Sequence, residues 1–315
     1  MNKWDRQFLG TQARELGFVR DTYEKVCRLT EILKFFQSDD LLGRTLALKG
    51  GTAINLTIFN LPRLSVDIDL DFCENVSREE MMAARVIVNE RIKKYMKAND
   101  YLLSKKSKQY HALDSFIYDY TNSGGMKDNI KIEINYMLRT HILGVGQRRF
   151  ESTWEPAGVL FLSVAPIEIF GSKIVALIGR AAARDLYDVY NLVKYGLFDK
   201  SEEDLLRKCV VFYSAVGTEL PPSEYSLESI DAITEKLIKR DLRPVLRSRD
   251  KFDLKIAQVQ VKDWLLTLLN IQDNEREFLE LFRSKEYQPE LLFESKDILN
   301  RIQNHPMALW KCSRE

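Results

Sequence analysis

The sequence is poor in the residues that form disulfides and zinc sites. Among its 315 residues there are four cysteines and three histidines. The cysteines stand alone, without a C-x-x-C pair, and isolated thiols in a chain of this length are typical of a reducing compartment. No two histidines have the i, i+4 spacing of an H-E-x-x-H motif, which argues against a zinc site of that kind. Cysteine and histidine therefore offer no candidate site.

Long apolar runs and an excess of charge of one sign are also absent. No stretch of eighteen apolar residues occurs, and about that length is needed for a membrane-spanning helix. The first 17 residues lack the apolar core of a signal peptide. Lys and Arg number 47 against 46 Asp and Glu, a net charge of +1, so any surface for a polyanion must be local. We expect a cytoplasmic protein without a membrane segment.

The rest of the composition is that of a globular protein. Hydrophobic residues make up 45% and charged residues 30% of the chain, which excludes neither an enzyme nor a binding module. The length permits one large domain or two of ordinary size. From Pro166 onward the apolar residues take helical spacing. We therefore predict a first domain over residues 1–164 and a helical domain over residues 165–315.

The first domain is predicted to contain helices and a small mixed sheet. Apolar residues at steps of three and four predict helices in the first forty residues. A capping box at Ser77 and Glu80 predicts the start of a long helix that ends near Asn99. Residues 122–125 (NSGG) have the composition of a hairpin turn. Strands are predicted over residues 45–48, 65–72, 101–108, 113–121 and 129–136.

One predicted strand carries three aspartates on a single face. In VDIDLDF, residues 66–72, the side chains alternate, so Asp67, Asp69 and Asp71 share one face and the apolar residues the other. Neighbours on one face are roughly 7 Å apart at the backbone, which suits metal ions about 4 Å apart. The repulsion between the carboxylates raises their pKa values unless cations compensate it. A solvated polar face is the alternative, and an EF-hand is poorly supported because the loop glycine is absent.

A glycine pair precedes this strand by fifteen residues or so. Gly50 and Gly51 can expose backbone N–H groups, and Thr52 places a hydroxyl at the expected start of a helix, which favours phosphate. We expect Thr52 to cap that helix. The spacing fits neither a P-loop nor a dinucleotide-binding fingerprint. Gly-Gly-Thr alone is more often a plain turn, and the acidic strand that follows is what makes it a candidate triphosphate cradle.

A third carboxylate lies in the predicted strand over residues 129–136. Glu133 is on the face opposite Ile130, Ile132 and Ile134, and it joins the aspartates if the two strands are neighbours. Such a triad serves two-metal nucleotidyl transfer, in which one ion activates the attacking hydroxyl and the other steadies the triphosphate. Taken alone, Glu133 is more often a surface residue.

Together these motifs resemble a known family. The segments KGGTAIN at residues 49–55, RLSVDIDLDF at residues 63–72 and KIVALIGRAAARDLYDVY at residues 173–190 are similar to the AbiEii/AbiGii type of nucleotidyltransferase-like toxin. The motifs span roughly residues 46–193. The resemblance implies an α+β fold: a DNA polymerase β-like nucleotidyltransferase core, made of a small mixed sheet with flanking helices, and a helical C-terminal lobe.

The resemblance also implies an activity and partners. It implies transfer of a nucleoside monophosphate from an NTP with Mg²⁺ or Mn²⁺, by the toxin of a type IV toxin–antitoxin system of the abortive-infection kind, with a cognate antitoxin as partner. Related toxins attach nucleotides to the 3′ end of tRNA, so RNA is the expected acceptor. The motifs and the resemblance assign catalysis to Asp67, Asp69, Lys173 and Asp185, metal binding to Asp67, Asp69 and Glu133, and nucleotide binding to Gly50, Gly51, Thr52, Arg63, Ser65, Arg180 and Arg184.

The second domain supplies candidate cations. Lys173, Arg180 and Arg184 have i, i+7 and i+11 spacing, and on a continuous helix they lie within about 20° of one line. Such a stripe would face phosphates, to which lysine offers a point charge and arginine a bidentate donor, whereas the alternative is a solvated basic face. Asp185 and Asp188 are either structural partners of the arginines or, for Asp185, catalytic as the resemblance implies.

Three functions are open on the sequence. The first is a nucleotidyltransferase that acts on an RNA end or a protein hydroxyl. The second is a non-catalytic NTP-binding or partner-binding protein that keeps the fold, and the third is a phosphohydrolase, which would release no pyrophosphate. The joint presence of Gly-Gly-Thr, both aspartates, Glu133 and Lys173 favours the enzyme. Polymerase β-like folds commonly have aspartate at the position of Glu133. The glutamate side chain is longer, and this changes the metal geometry.

Overall fold

The computed structural model describes residues 4–152 and 154–313, which form two compact units. The first unit contains the chain up to Arg139 together with Val145–Ser163 and Pro244–Asp250. The second contains Thr140–Gly144, Val164–Arg243 and the chain from Lys251 onward. Each unit is thus discontinuous in sequence. In the described part of the chain, no helix is long and apolar enough to cross a membrane.

The first unit begins with helices that bury apolar residues. Helices α1 (Arg6–Leu16) and α2 (Arg20–Ser38) confirm the helical prediction for this region. Helix α2 is buried over much of its circumference, including Val26 and Leu33, as expected of a helix in the interior of a unit. The short helix α3 (Leu42–Thr45) leads into the sheet.

The strands of the first unit form one mixed sheet. They are β1 (Leu46–Leu48), β2 (Asp67–Phe72), β3 (Leu102–Leu103), β4 (Lys108–Gln109), β5 (Leu113–Thr121), β6 (Lys127–Asn135), β7 (Gly146–Ser152) and β8 (Glu155–Ser163). Within the described residues the strand order is β3-β5-β6-β2-β1-β8-β7, and β4 pairs with β5. The pairs β2–β6 and β1–β8 are parallel.

The alternation of side chains decides which face of the central strands is buried. Ile68 and Leu70 of β2 and Ile130, Ile132 and Ile134 of β6 are all buried, because successive side chains of a strand point to opposite faces. The polar residues between them lie on the other face and are partly exposed over most of its length. The predicted division of these strands into an apolar and a polar face is confirmed.

Two further helices flank the central strands. Helix α4 (Gly50–Ala53) continues directly into a π-helical turn over Ile54–Ile58. Helix α5 (Arg78–Ala98) begins at the predicted capping box: the Ser77 side chain accepts a hydrogen bond from the Glu80 backbone, and the Glu80 carboxylate accepts one from the Ser77 backbone. The start of α5 is therefore set by local sequence, as a capping box predicts.

Elsewhere in the sheet the predictions hold in part. The hairpin turn between β5 and β6 is confirmed, with Gly125 at φ +80°. The single strand predicted over residues 101–108 is wrong: β3 and β4 are separate two-residue strands, because a turn closed by the Ser107 N–H and the Ser104 carbonyl lies between them. The hairpin of β7 and β8 was not predicted, since β7 has Phe150 as its one buried residue and lacks apolar alternation.

The second unit is helical, as predicted. Its helices are α6 (Pro166–Arg180), α7 (Ala183–Tyr195), α8 (Lys200–Gly217), α9 (Glu228–Asp231), α10 (Glu235–Leu237), α11 (Leu254–Leu268), α12 (Asp273–Arg283), α13 (Lys296–Ile302) and α14 (Pro306–Cys312). Helix α6 packs on α7 and α8 through buried residues such as Ile174 and Leu177.

A buried carboxylate ties an outlying segment to this unit. The Glu168 carboxylate of α6 accepts hydrogen bonds from the backbone of Ile142 at 2.8 Å and of Leu143 at 2.9 Å, and from the Tyr213 hydroxyl at 2.9 Å. Burial raises the pKa of Glu168 above its usual value. These bonds fix the segment Thr140–Gly144, whose backbone donors would otherwise lack partners in the interior.

Candidate active site

The acidic strand β2 lies directly beside β6. In their parallel register Asp69 is the Cα partner of Glu133, and Asp67 is the partner of Lys131. Paired residues of neighbouring strands lie about 5 Å apart and point to the same face. Asp67, Asp69 and Glu133 therefore project together from the polar face, where all three are partly exposed. Glu133 was expected to join the aspartates if its strand lay next to theirs, and β6 does lie next to β2.

Asp71 differs from the other two aspartates of β2. It is 3% exposed, and its carboxylate forms an ion pair with the ammonium of Lys49. Lys49 follows β1, and its backbone N–H donates to the Asp69 carbonyl at 2.9 Å. Asp71 is therefore neutralised within the protein, and its contact holds the start of the glycine turn on the acidic strand.

A lysine lies among the remaining carboxylates. The Lys131 Nζ is 2.8 Å from Glu133 Oε1. Burial by itself lowers the pKa of Lys131, but the hydrogen bond to Glu133 and the charges of Glu133, Asp67 and Asp69 raise it above its usual value. Across residues 4–152 and 154–313, no three His, Cys, Asp or Glu side chains are arranged as a metal site. Lys131, instead, supplies the positive charge next to Glu133.

The glycine turn sits against Asp69 because it has no side chains. Gly50 has φ +63°, in the left-handed region that favours glycine. A Cβ at Gly50 would lie 2.6 Å from Asp69 Oδ2, and a Cβ at Gly51 would lie 2.9 Å from Arg63 Nη2. Any larger residue at either position would have to move a neighbour that the site uses. The two glycines thus allow the backbone to approach the acidic strand.

Thr52 does not cap the helix, so this prediction is wrong. Helix α4 begins at Gly50, its N-cap position is Lys49, and no side chain makes a cap hydrogen bond there. The Thr52 hydroxyl is fully buried, donates to the Asp67 carbonyl and lies 2.9 Å from Ser65 Oγ. Thr52 and Ser65 therefore join the turn to the beginning of β2, and direct binding of nucleotide by either remains a prediction.

Arg63 is buried beneath the same turn. It is 2% exposed, its Nη1 donates to the Leu64 carbonyl at 2.9 Å, and its backbone N–H donates to Asn55 Oδ1 at 3.3 Å. Asn55 in turn donates to the Gly51 carbonyl at 2.6 Å. Arg63 thus supports the turn from below, and its contact with a nucleotide also remains a prediction.

The second unit holds a compact cluster of four charged side chains. The buried Lys173 Nζ lies 2.8 Å from Asp185 Oδ1 and 3.3 Å from Asp188 Oδ2. Arg180 donates to Asp185 through Nε at 2.7 Å and Nη2 at 3.1 Å. Burial opposes ionisation of Asp185, but the Lys173 charge and the Arg180 hydrogen bonds outweigh it and lower the pKa of Asp185 to about 2. Of the two alternatives for these aspartates, pairing with an arginine is observed for Asp185, whereas Asp188 contacts Lys173; the catalytic role of Asp185 stays a prediction.

The predicted basic stripe on one continuous helix is wrong. Helix α6 ends at Arg180, Ala181 takes a left-handed conformation with φ 50°, and α7 starts at Ala183. Arg184 therefore belongs to the next helix, so the stripe of three cations does not exist as one line. The turn lets Arg180 fold back on Asp185, an ion pair that helical periodicity does not predict.

Sequence reasoning did not select Lys49 or Lys131 as site residues. Both lysines are next to candidate site residues in the sequence. Lys49 immediately precedes the glycine pair, and Lys131 lies on the same strand face as Glu133, two residues before it. Either lysine could have been selected from the sequence, because a cluster of carboxylates needs nearby cations to offset the repulsion between its charges. Only the pairing of strands showed which carboxylate each lysine meets.

Comparison with known proteins identifies a family and a fold. The family model described as nucleotidyl transferase AbiEii toxin, type IV TA system, matches residues 34–262. No curated protein matches the sequence. The structure of MenT4, the nucleotidyltransferase toxin Rv2826c from Mycobacterium tuberculosis H37Rv, is 15% identical with a TM-score of 0.65, over 96% of this chain and 98% of that one. A structure from H. pylori, provisionally described as a nucleotidyltransferase, is 18% identical with a TM-score of 0.50, over 80% and 96% of the two chains. The predicted α+β nucleotidyltransferase fold is confirmed.

Proposed function

This chain belongs to the AbiEii family of nucleotidyltransferase toxins of type IV toxin–antitoxin systems, as its motifs predict, and we propose that it transfers a nucleoside monophosphate from an NTP to RNA. The 3′ end of tRNA is the first candidate acceptor and a protein hydroxyl the second. We place this activity in the cytoplasm, where it acts as a toxin in abortive infection and a cognate antitoxin opposes it.

The observation that carries the proposal is the register of β2 and β6. Asp69 stands beside Glu133, and Asp67 lies two residues earlier on the same strand face. Mg²⁺ prefers oxygen ligands and is usually bound by one or two carboxylates together with substrate phosphates. The chemistry of this donor set therefore fits Mg²⁺ or Mn²⁺, with Asp67, Asp69 and Glu133 as the ligands.

When bound, the divalent ion would activate the attacking hydroxyl and offset charge on the triphosphate and on the departing pyrophosphate. The protein itself positions the triphosphate. Gly50 and Gly51 bring backbone against Asp69, and they begin a helical segment, where free N–H groups favour phosphate. Thr52, Arg63 and Ser65 hold that backbone in place from below, and we retain them as proposed nucleotide contacts on the family resemblance.

In the second unit we assign catalysis to Lys173 and Asp185. Asp185 and Asp188 both contact the Lys173 ammonium, which restricts the flexible lysine stem to one position. A positioned lysine can offset the charge of a phosphate as a compact point charge. The Arg180 side chain donates to Asp185 and is 66% exposed, and we propose it as a phosphate ligand at the surface of this cluster. Arg184 of α7 is a further phosphate ligand in this proposal.

The proposal is tested by incubating the protein with each radiolabelled NTP, Mg²⁺ and total RNA. We expect one or more nucleotides to appear on RNA, with release of pyrophosphate. Label on protein would change the acceptor, and release of phosphate without pyrophosphate would identify a phosphohydrolase. NTP binding without any product would identify the non-catalytic alternative.

Two matched variants make this experiment specific. Asp69→Asn removes a carboxylate from the proposed metal site and should abolish transfer. Asp119→Asn removes one from an exposed position of β5 on the same sheet and should leave transfer unchanged. Equal loss in both variants would show that the sheet, and not the metal site, was damaged.

A further inference from the structure

Lys131 is the basic residue closest to the proposed metal ligands along β6. It is the Cα partner of Asp67 and lies two residues before Glu133 on the same strand face. Its ammonium is 2.8 Å from Glu133 Oε1, and its side chain is 36% exposed. The lysine therefore occupies the space next to a ligand oxygen and can still reach solvent if it leaves.

The charges around Lys131 explain why it lies there. Asp67, Asp69 and Glu133 share one face, and like charges that close together destabilise the ionised forms unless cations compensate them. Lys131 supplies one positive charge and hydrogen-bond donors to one of the three carboxylates. A hydrogen bond of this charge-assisted kind is stronger than a neutral one, so Glu133 is held in place by Lys131 in the protein alone.

A divalent cation and the Lys131 ammonium compete for the same oxygen. Glu133 Oε1 accepts from the ammonium at 2.8 Å, whereas Mg²⁺ binds carboxylate oxygens at about 2.1 Å. A cation at that distance would lie against the ammonium and repel it. Metal binding through Oε1 of Glu133 therefore requires Lys131 to move away.

We propose that Lys131 is an internal counter-cation that a divalent ion must displace from Glu133, so that this lysine lowers the affinity of the site for metal. The inference rests on the proposed function, because it takes Asp67, Asp69 and Glu133 as metal ligands. Its consequence is a site that stays compensated and ordered without metal and binds metal weakly when no substrate contributes ligands.

Titration of the purified chain with Mn²⁺ tests this without reference to activity, since the paramagnetic resonance signal of unbound Mn²⁺ gives the bound fraction. Lys131→Met keeps the apolar stem and removes the charge, and it should tighten Mn²⁺ binding on the order of tenfold, because it removes the repulsion between the ion and a neighbouring positive charge. Lys131→Arg keeps the charge and should bind Mn²⁺ as weakly as the unmodified chain.

Lys127→Met is the matched control for net charge. Lys127 is exposed on the same strand, about 13 Å from Lys131 by strand geometry. Its replacement should leave Mn²⁺ affinity unchanged. Equal or weaker binding by Lys131→Met would overturn the counter-cation, and equal tightening by Lys127→Met would reduce the effect to general electrostatics and overturn it too.

Asp69→Asn separates this inference from the proposed function. If the unmodified chain binds Mn²⁺ and Asp69→Asn does not, the metal site stands, and the Lys131 variants decide the counter-cation alone. If Asp69→Asn binds as well as the unmodified chain, the carboxylates are not the metal site. Both proposals then fail.

A second measurement uses the unmodified chain, so its result does not depend on how a variant folds. An amine-acylating reagent modifies exposed lysines, and peptide mass spectrometry gives the extent at each site. Mn²⁺ should increase acylation of Lys131 several-fold while acylation of Lys127 stays constant, because the displaced ammonium loses its hydrogen bond to Glu133. Unchanged or reduced acylation of Lys131 at saturating Mn²⁺ would contradict the displacement.

Discussion

Gly50 and Asp69 are in direct contact: a Cβ added to Gly50 would lie 2.6 Å from Asp69 Oδ2. Because Gly50 also has φ +63°, an alanine there meets both an unfavourable backbone conformation and a clash with a proposed metal ligand. A side chain added at Gly50 would therefore displace the Asp69 carboxylate, so the glycine turn and the acidic strand depend on each other for their positions.

Gly50→Ala should therefore abolish transfer while costing only moderate stability. The left-handed conformation costs a non-glycine residue about 1–2 kcal/mol, and the clash displaces the Asp69 carboxylate. Gly125→Ala is a matched control, because Gly125 has φ +80° with nothing within 4 Å of an added Cβ. It should lose similar stability in urea unfolding and keep full activity. Full activity in Gly50→Ala would show that the contact with Asp69 is dispensable.

Asp67→Ala and Asp69→Ala should each remove transfer and leave the fold intact. Each change deletes a proposed metal ligand and at the same time relieves repulsion within the carboxylate cluster. In the absence of metal we expect the free energy of unfolding to be unchanged or higher, measured by chemical denaturation with circular dichroism. Unchanged turnover in purified Asp69→Ala would rule out the assignment of Asp69 as a metal ligand.

Lys173→Ala should reduce transfer on the order of a hundredfold or more, as for other single electrostatic groups in active sites. It should also destabilise the second unit by about 3–5 kcal/mol, because Asp185 and Asp188 would lose their buried partner. Transfer must therefore be measured at a temperature where the variant is folded, as judged by circular dichroism.

Lys173→Arg separates the two roles of the lysine. It keeps the charge and part of the stability, but it should restore little transfer, since a planar guanidinium does not replace a compact ammonium. Lys194→Ala, at an exposed position of α7, is the control and should transfer normally. Near-normal turnover in either Lys173 variant would argue that this lysine is structural only.

Asp185 should make stability depend on pH in the acidic range. The neighbouring cations lower the pKa of Asp185 to about 2 from a usual value of 3.8, so its contribution is fully present above about pH 4 and is lost as the pH falls towards 2. A shift of this size corresponds to about 2 kcal/mol. The difference in unfolding free energy between the unmodified chain and Asp185→Asn should be constant near neutral pH and shrink below about pH 4.

Asp263→Asn, at an exposed position of α11, controls for the loss of an aspartate as such. The comparison uses urea unfolding at a series of pH values. A difference for Asp185→Asn that grows as the pH falls would contradict the lowered pKa.

Several features of the site could be predicted because they depend on local pattern. The alternation of aspartates with Ile68 and Leu70 predicts a strand with one acidic face, and the pair Ser77 and Glu80 predicts the start of α5. Gly50 and Gly51 predict a turn that exposes backbone N–H groups. Each of these depends on residues a few positions apart, so neighbouring sequence is sufficient.

Other features depend on contacts between distant residues. The pairing of Lys49 with Asp71 separates Asp71 from the other two aspartates, although the three are equivalent in the sequence pattern. Helix α6 ends at Arg180, although the alanines that follow favour a continued helix. The ion pair between Arg180 and Asp185 forms at this helix end. Tertiary contacts override local propensity in both cases.

The sequence by itself determined the strands β1, β2, β5 and β6, the glycine turn, the carboxylates and the family, because side-chain periodicity and short motifs are properties of neighbouring residues. Only the tertiary structure decided that β6 lies beside β2 and that Lys131 meets Glu133. The strands are separated by more than fifty residues, and their pairing depends on how the whole sheet buries its apolar face, which no local pattern encodes.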